Sequence, residues 1–144
     1  MTSRGGYVAL VVDDDPLVRM TAAGVLADAD IDVLEAGSAG EAMAILALAP
    51  RVDILFTDVR MPGGQDGVEL AAAAVIARPG LKVVITSGYS GYEVSGASQI
   101  RDVTFLPKPY TAAALVDTIL AELRDGADDP YGRGPSASDD ELQE

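Results

Sequence analysis

Five short runs of apolar, largely β-branched residues recur along this chain, separated by stretches of helical period or by turn-forming residues. No other feature limits the fold as much. The runs are residues 7–12 (YVALVV), 31–35, 53–57, 81–86 (LKVVIT) and 103–106. The first shows no apolar–polar alternation, which suits a central strand covered on both faces. Strands that alternate with helices predict an α/β domain built on a doubly wound, five-stranded parallel sheet with right-handed crossovers.

The helices announce themselves by their caps. Asp15 serves as N-cap and Pro16 as first helical residue of a segment with Val18, Ala22, Val25 and Leu26 on one face. Ser38 and Glu41 form a capping box, followed by Ala42, Ile45, Leu46 and Ala49, and Pro50 stops that helix. VELAAAAVIA, after Gly67, is a run of strong helix formers that ends at Arg78-Pro79-Gly80. Thr111 caps a last helix with Leu115, Val116, Ile119, Leu120 and Leu123 along its buried stripe. Between residues 89 and 101, glycines and serines break the pattern, so a short, marginal helix is expected there. Residues 125–144 hold seven acids and one arginine and almost no large apolar side chain; a disordered acidic tail is predicted. The expected organisation is an N-terminal extension over 1–6, one domain over 7–124 and that tail.

Composition removes whole classes of chemistry. With no cysteine there is no disulfide, thiolate nucleophile or thiolate metal site, and with no histidine the commonest general base and metal ligand is missing. A net charge of −13 argues against direct binding to nucleic acid, which rests on lysine and arginine neutralising phosphates. No segment approaches the 18 apolar residues of a membrane span, and the first apolar run meets three aspartates well short of a signal-peptide core, so a soluble, cytoplasmic protein is expected.

The polar residues that stand out all fall at strand ends. Asp13 and Asp14 follow the first strand, Asp58 the third, Ser87 with Gly88 the fourth, and Lys108, between Pro107 and Pro109, the fifth. Taken singly, each has a plain explanation: a solvated acidic loop, a strand-to-loop aspartate, a turn pair, a loop lysine. Together they face one rim, the carboxyl edge where open parallel sheets bind ligands. Three carboxylates there make an oxygen-only cation site suited to Mg²⁺, an ion that keeps several waters. With a cation and Lys108 set against a central carboxylate, an incoming phosphoryl group would be neutralised from two sides, and Asp58 becomes its nucleophile.

VVDDDP, DVRMPG, ITSG and FLPKP, each at its expected place over residues 7–124, identify the chain as similar to the receiver domain of two-component response regulators. The resemblance implies the flavodoxin-like strand order 2-1-3-4-5 and phosphorylation of Asp58 by a histidine kinase or a histidine phosphotransfer protein. It implies that Asp14, Asp58 and the Arg60 carbonyl bind Mg²⁺ directly, Asp13 acting largely through water. Ser87 would bond one phosphoryl oxygen and Lys108 pair with another, and the backbone amides of Val59 and Gly88 would complete the cradle. A cis Lys108–Pro109 bond is also implied. Relatives signal by drawing the serine toward the phosphoryl group while an aromatic residue on the fifth strand turns inward. Phe105 holds that position and lacks the hydroxyl of the tyrosine often found there. The loop MPGGQDG is one residue longer than in chemotaxis regulators, and Arg60 and Tyr89 occupy positions that tune phosphoryl lifetime.

Such a protein is not a turnover enzyme but a phosphoacceptor that promotes its own phosphorylation and slow dephosphorylation. Its output is expected to pass through protein contacts, with a homodimer on phosphorylation as one option, no direct contact to nucleic acid and no membrane insertion. A freestanding regulator, a phosphorelay intermediate and a receiver cut from a hybrid histidine kinase all fit. Two rival readings remain. A haloacid-dehalogenase-like phosphatase would use Asp13-x-Asp15, Ser87 and Lys108, but leaves Asp58 unemployed and has Leu17 where threonine or valine is expected. A pure interaction module would keep the fold without being phosphorylated.

Overall fold

A computed structural model describes residues 6–60, 67–87 and 103–128. Its elements, in chain order, are β1 (Val8–Val12), α1 (Pro16–Asp28), β2 (Asp32–Ala36), α2 (Ala39–Leu48), β3 (Ile54–Asp58), α3 (Gly67–Ala77), β4 (Lys82–Ser87), β5 (Val103–Pro107) and α4 (Ala112–Asp128). All five strands pair in parallel in the order β2-β1-β3-β4-β5. Both the predicted fold class and the strand order that the resemblance implied are therefore present. The segment read as a marginal helix over 89–101 lies outside the described residues.

Alternation along each strand feeds two cores, one on each face of the sheet. Leu10, Val12, Leu55, Val83 and Ile85 point to the side covered by α2 and α3. Ala9, Val11, Phe56, Val84 and Leu106 point to the side covered by α1 and α4. The alanines of α3 do what their size suggests, since Ala71 and Ala74 are wholly buried and let that helix lie close on the sheet. Apolar burial of this kind, at about 25 cal/mol per Å², is the main favourable term holding the layers together.

The caps form as expected. Asp15 accepts from the amides of Leu17 and Val18, at 2.9 and 3.3 Å, and Ser38 accepts from Glu41 N at 3.1 Å. Glu41 reaches back one residue further than a capping box requires and takes the amide of Gly37 at 2.6 Å. Thr111 Oγ1 accepts from Ala114 N at 3.0 Å. Arg78, just after α3, donates to the carbonyls of Leu46 and Ala49 and so satisfies the end of α2 from outside. The last helix continues through Asp128, four residues beyond the expected boundary at Arg124: backbone propagation carries it into the start of the segment read as tail. Among the described residues no helix is long and apolar enough to cross a membrane.

Candidate functional site

Three strand ends bring the chemistry together. Strands β1 and β3 are neighbours at the centre of the sheet, so Asp13, the residue after β1, lies beside Asp58, the last residue of β3. Lys108 follows β5, two strands from β3, and its side chain spans the gap: Nζ donates to Asp58 Oδ2 at 2.9 Å. Asp58 Oδ1 accepts the amide of Arg60 at 3.2 Å. The side chains of Lys108 and Asp58 are 31% and 15% exposed, so the pair is shielded yet not sealed from solvent.

Each of these residues is held by its backbone. The amide of Asp13 extends the β1–β2 ladder to Ala36 O at 3.2 Å, and its Oδ1 accepts from Asp15 N at 2.9 Å. Arg19, which nothing in the motifs singled out, donates through Nη1 to Asp13 O at 3.0 Å and through Nε to Glu35 at 3.1 Å. Lys108 N bonds to Ser87 O at 2.9 Å, and the Lys108–Pro109 peptide is cis, as the resemblance implied. Thr57 donates its hydroxyl to Asp58 O at 3.0 Å.

The electrostatics follow from this crowding. Burial raises the Asp13 carboxyl above its ordinary value; the Asp15 amide opposes that, the charge of Asp58 adds to it, Lys108 offsets part, and Asp14 adds a little. Lys108 shows the converse balance. Burial pulls it down, but its hydrogen bond to Asp58 and the charges of Asp58 and Asp13 outweigh burial and leave it raised. Tyr110 packs edge-on against Phe56, ring centroids 5.9 Å apart. Burial pushes its phenol up, with Lys108 opposing and the two aspartates reinforcing.

Asp14 is exposed, and among the described residues no group of three acidic side chains is drawn together closely enough to hold a metal ion. The three-carboxylate cluster expected from the sequence is thus a closely coupled pair, Asp13 and Asp58, with Asp14 beside it. Two carboxylates, one of them bonded to Lys108, still fit a hard divalent ion, because Mg²⁺ commonly takes one or two carboxylates and keeps its waters.

Ser87, the last residue of β4, is 7% exposed and lies in the rim. The Val59 amide is not turned toward a phosphoryl site: it donates to Thr86 O at 3.0 Å, since the β3–β4 ladder runs one bond past Asp58. The amide that faces the carboxylate belongs to Arg60. Gly88 and Tyr89 lie outside the described residues. Phe105 is in register with Ile85 and 43% exposed, in an outward position.

Two further residues went unnoticed in the sequence. Gly67 donates its amide to Val59 O at 2.7 Å, and a Cβ on it would stand 2.2 Å from Asp58 O. Only glycine lets α3 begin against the peptide of the central aspartate. Thr86, in register with Asp58, is 2% exposed and its hydroxyl has no hydrogen-bond partner among the described residues.

Comparison with known proteins gives a consistent result. The model of the response regulator receiver domain family matches residues 9–120. The chain is 34% identical over 109 residues to the nitrogen assimilation regulatory protein NtrX of Azorhizobium caulinodans, covering 74% of this chain and 24% of that protein. It is 34% identical over 119 residues to the sensor kinase CckA of Brucella abortus, covering 80% of this chain and 12% of that one. Among solved structures, the receiver domain of the hybrid histidine kinase CckA superposes with a TM-score of 0.68 at 34% identity, over 81% of this chain and 98% of that one. The chain therefore spans a quarter or less of the length of these full-length relatives.

Proposed function

Because the chain belongs to the response regulator receiver domain family, we propose that it is a phosphorylation-operated switch whose acceptor is Asp58. The observation that carries this reading is the Lys108 ammonium 2.9 Å from a carboxylate at the carboxyl edge of the central strand, with a second buried carboxylate, Asp13, beside it. A haloacid-dehalogenase-like arrangement would centre on Asp13, yet Lys108 bonds Asp58.

In the proposed step a carboxylate oxygen of Asp58 attacks the phosphorus of a phosphohistidine on a kinase or phosphotransfer protein. The new O–P bond forms as the P–N bond breaks, and the leaving imidazole keeps the electron pair and takes a proton from solvent. Lys108 moves its charge from the carboxylate, which becomes a neutral ester, to the phosphoryl oxygens. Ser87 offers a hydroxyl to the same group from the end of β4, and the Arg60 amide continues to orient Asp58. Asp13, Asp14, Asp58 and the Arg60 carbonyl are the oxygen donors that would hold Mg²⁺. Bound Mg²⁺ would neutralise the charge that develops on the transferring phosphoryl group. Conversion of Asp58 from anion to ester dianion, followed by Ser87 and Phe105, would change the surface offered to downstream proteins or to a second copy. The chain is a phosphoacceptor in this reading, not an enzyme that turns over.

Similarity to both NtrX and CckA leaves a regulator and a hybrid-kinase receiver equally compatible with this chemistry. Intact-mass measurement after incubation with acetyl phosphate and Mg²⁺ tests the acceptor. One phosphoryl adduct is expected on the wild type, none on Asp58→Asn and none in the presence of a chelator. Absence of an adduct on folded wild type, with either acetyl phosphate or a phosphorylated histidine protein, would leave an interaction module that is not phosphorylated.

A further inference from the structure

Resting on that reading, we propose that Arg19 is a positioning residue for the metal side of the site: its guanidinium clamps the backbone carbonyl of Asp13 and so fixes the peptide from which the Asp13 and Asp14 carboxylates reach Mg²⁺. Asp13 is held at three points. Its amide bonds to Ala36 O at 3.2 Å, its Oδ1 takes the Asp15 amide at 2.9 Å, and its carbonyl takes Arg19 Nη1 at 3.0 Å. The first bond follows from the strand ladder and the second from the turn into α1. The third does not: Asp13 O lies beyond the paired residues of β1 and β2, where a backbone carbonyl must find water or a side chain. A side chain from the first turn of α1 supplies that bond. Rotation of the 13–14 peptide would carry Asp14 with it. Mg²⁺ demands near-ideal octahedral geometry, so such a rotation would be felt as lost metal affinity.

The guanidinium is itself seated. Its Nε donates to Glu35 Oε1 at 3.1 Å, and a planar fork that serves two acceptors has its plane fixed. Gly37 forms the wall beside it, since a Cβ there would stand 3.0 Å from Arg19 Nη1. Glu41 holds that wall by taking the Gly37 amide at 2.6 Å. The Arg19 and Glu35 side chains are 21% and 39% exposed, so solvent screens their attraction and the pair contributes little to stability as charges. What the seat secures is the position of Nη1 under the Asp13 carbonyl.

Position and charge make opposite predictions. A positive side chain beside a cation site repels the metal, so by charge alone the loss of Arg19 would strengthen Mg²⁺ binding. A clamp acts the other way: without it the Asp13 peptide is free to turn, and the ligand set is no longer arranged before the ion arrives. Groups that orient metal ligands from behind are typically worth about tenfold or more in metal affinity.

The test measures Mg²⁺ affinity by titration calorimetry on the unphosphorylated full chain, for wild type, Arg19→Gln, Gly37→Ala and the double variant. Arg51→Gln is the charge control, because Arg51 pairs with Asp53 at 2.9 Å just before β3, at the opposite end of that strand from Asp58. Arg19→Gln is expected to bind Mg²⁺ about tenfold more weakly than wild type, and Arg51→Gln as tightly. Gly37→Ala leaves the net charge unchanged and crowds the guanidinium; it should weaken binding in wild type and add nothing to Arg19→Gln, because both changes act through one contact. Mg²⁺ binding by folded Arg19→Gln as tight as wild type or tighter, or an effect of Gly37→Ala that is the same with and without Arg19, would overturn the proposal and leave Asp58 as acceptor. Where Arg19→Gln fails to fold, Gly37→Ala decides by itself, and wild-type affinity in that variant would overturn the proposal. A wild type that binds no Mg²⁺ would overturn both this proposal and the Mg²⁺-dependent acceptor reading.

Discussion

Asp13 shows how a single residue sets the balance between stability and function in this site. Burial and the charge of Asp58 raise its carboxyl above the ordinary value of 3.8, against the opposing Asp15 amide. A carboxyl raised in the folded state favours folding in its protonated form. That contribution is complete below the unfolded value and is lost as pH rises through the folded one, so ionised Asp13 weakens the fold at neutral pH. Asp13→Asn should therefore unfold at a higher urea midpoint than wild type at about pH 7, with the difference shrinking toward about pH 4. Mg²⁺ added at neutral pH should close that gap by stabilising the wild type more than the variant. Parallel stability curves for the two proteins across this range would refute the assignment. Asp13, Asp58 and Lys108 could be read from the sequence because each follows an apolar run, and strand ends in a parallel sheet share an edge. Thr86 could not: it closes a run of apolar residues as an ordinary strand threonine, and its burial in register with Asp58 exists only once β3 lies beside β4. The Val59 amide was misjudged for the same reason, since its bond to Thr86 O depends on how far a ladder runs.

At the scale of elements, every expected strand within the described residues is present, but most are displaced by about one residue. β3 runs from Ile54 to Asp58 and β4 from Lys82 to Ser87, so Asp58 and Ser87 are the last residues of strands and not the first residues beyond them. Hydrophobic runs mark where side chains are buried, whereas pairing continues for as long as backbone partners are in reach. The start of α3 carries the same lesson into function. Gly67 read only as the residue before a helix, and nothing local indicated that the helix begins in contact with the Asp58 peptide. Replacing a helical glycine by alanine ordinarily stabilises by about 0.5–1 kcal/mol. At Gly67 the sign should reverse, because the added carbon would meet Asp58 O at 2.2 Å and backbone must move. Gly67→Ala is expected to lower Tm and to slow phosphoryl uptake from acetyl phosphate together, because the displaced peptide carries the acceptor. A variant that melts above wild type with unchanged uptake would show that α3 can shift away without disturbing Asp58.

For the molecule as a whole, the site acts as a clasp across the sheet. Among the described residues strand β5 is an edge strand paired with β4, and Lys108 at its end is joined through its side chain to Asp58 on β3. β2 forms the opposite edge, and it is tied to Asp13 through Ala36 O and to Arg19 through Glu35 rather than to the acceptor or its lysine. A phosphoryl group held by Lys108, Ser87 and Asp58 would link the ends of β3, β4 and β5 and add to the free energy needed to open that edge. Binding confined to the folded state stabilises in proportion to its differential affinity, and local opening is suppressed where the bound group bridges elements. Hydrogen exchange measured with Mg²⁺ and beryllofluoride, an unreactive phosphoryl mimic, should therefore slow at amides of residues 104–108 and 83–87 and remain nearly unchanged at 32–36. Asp58→Asn should show no such change. Equal slowing at both edges would mean that the group stabilises the sheet globally, and no slowing at β5 would mean that Lys108 does not follow the charge from carboxylate to phosphoryl group.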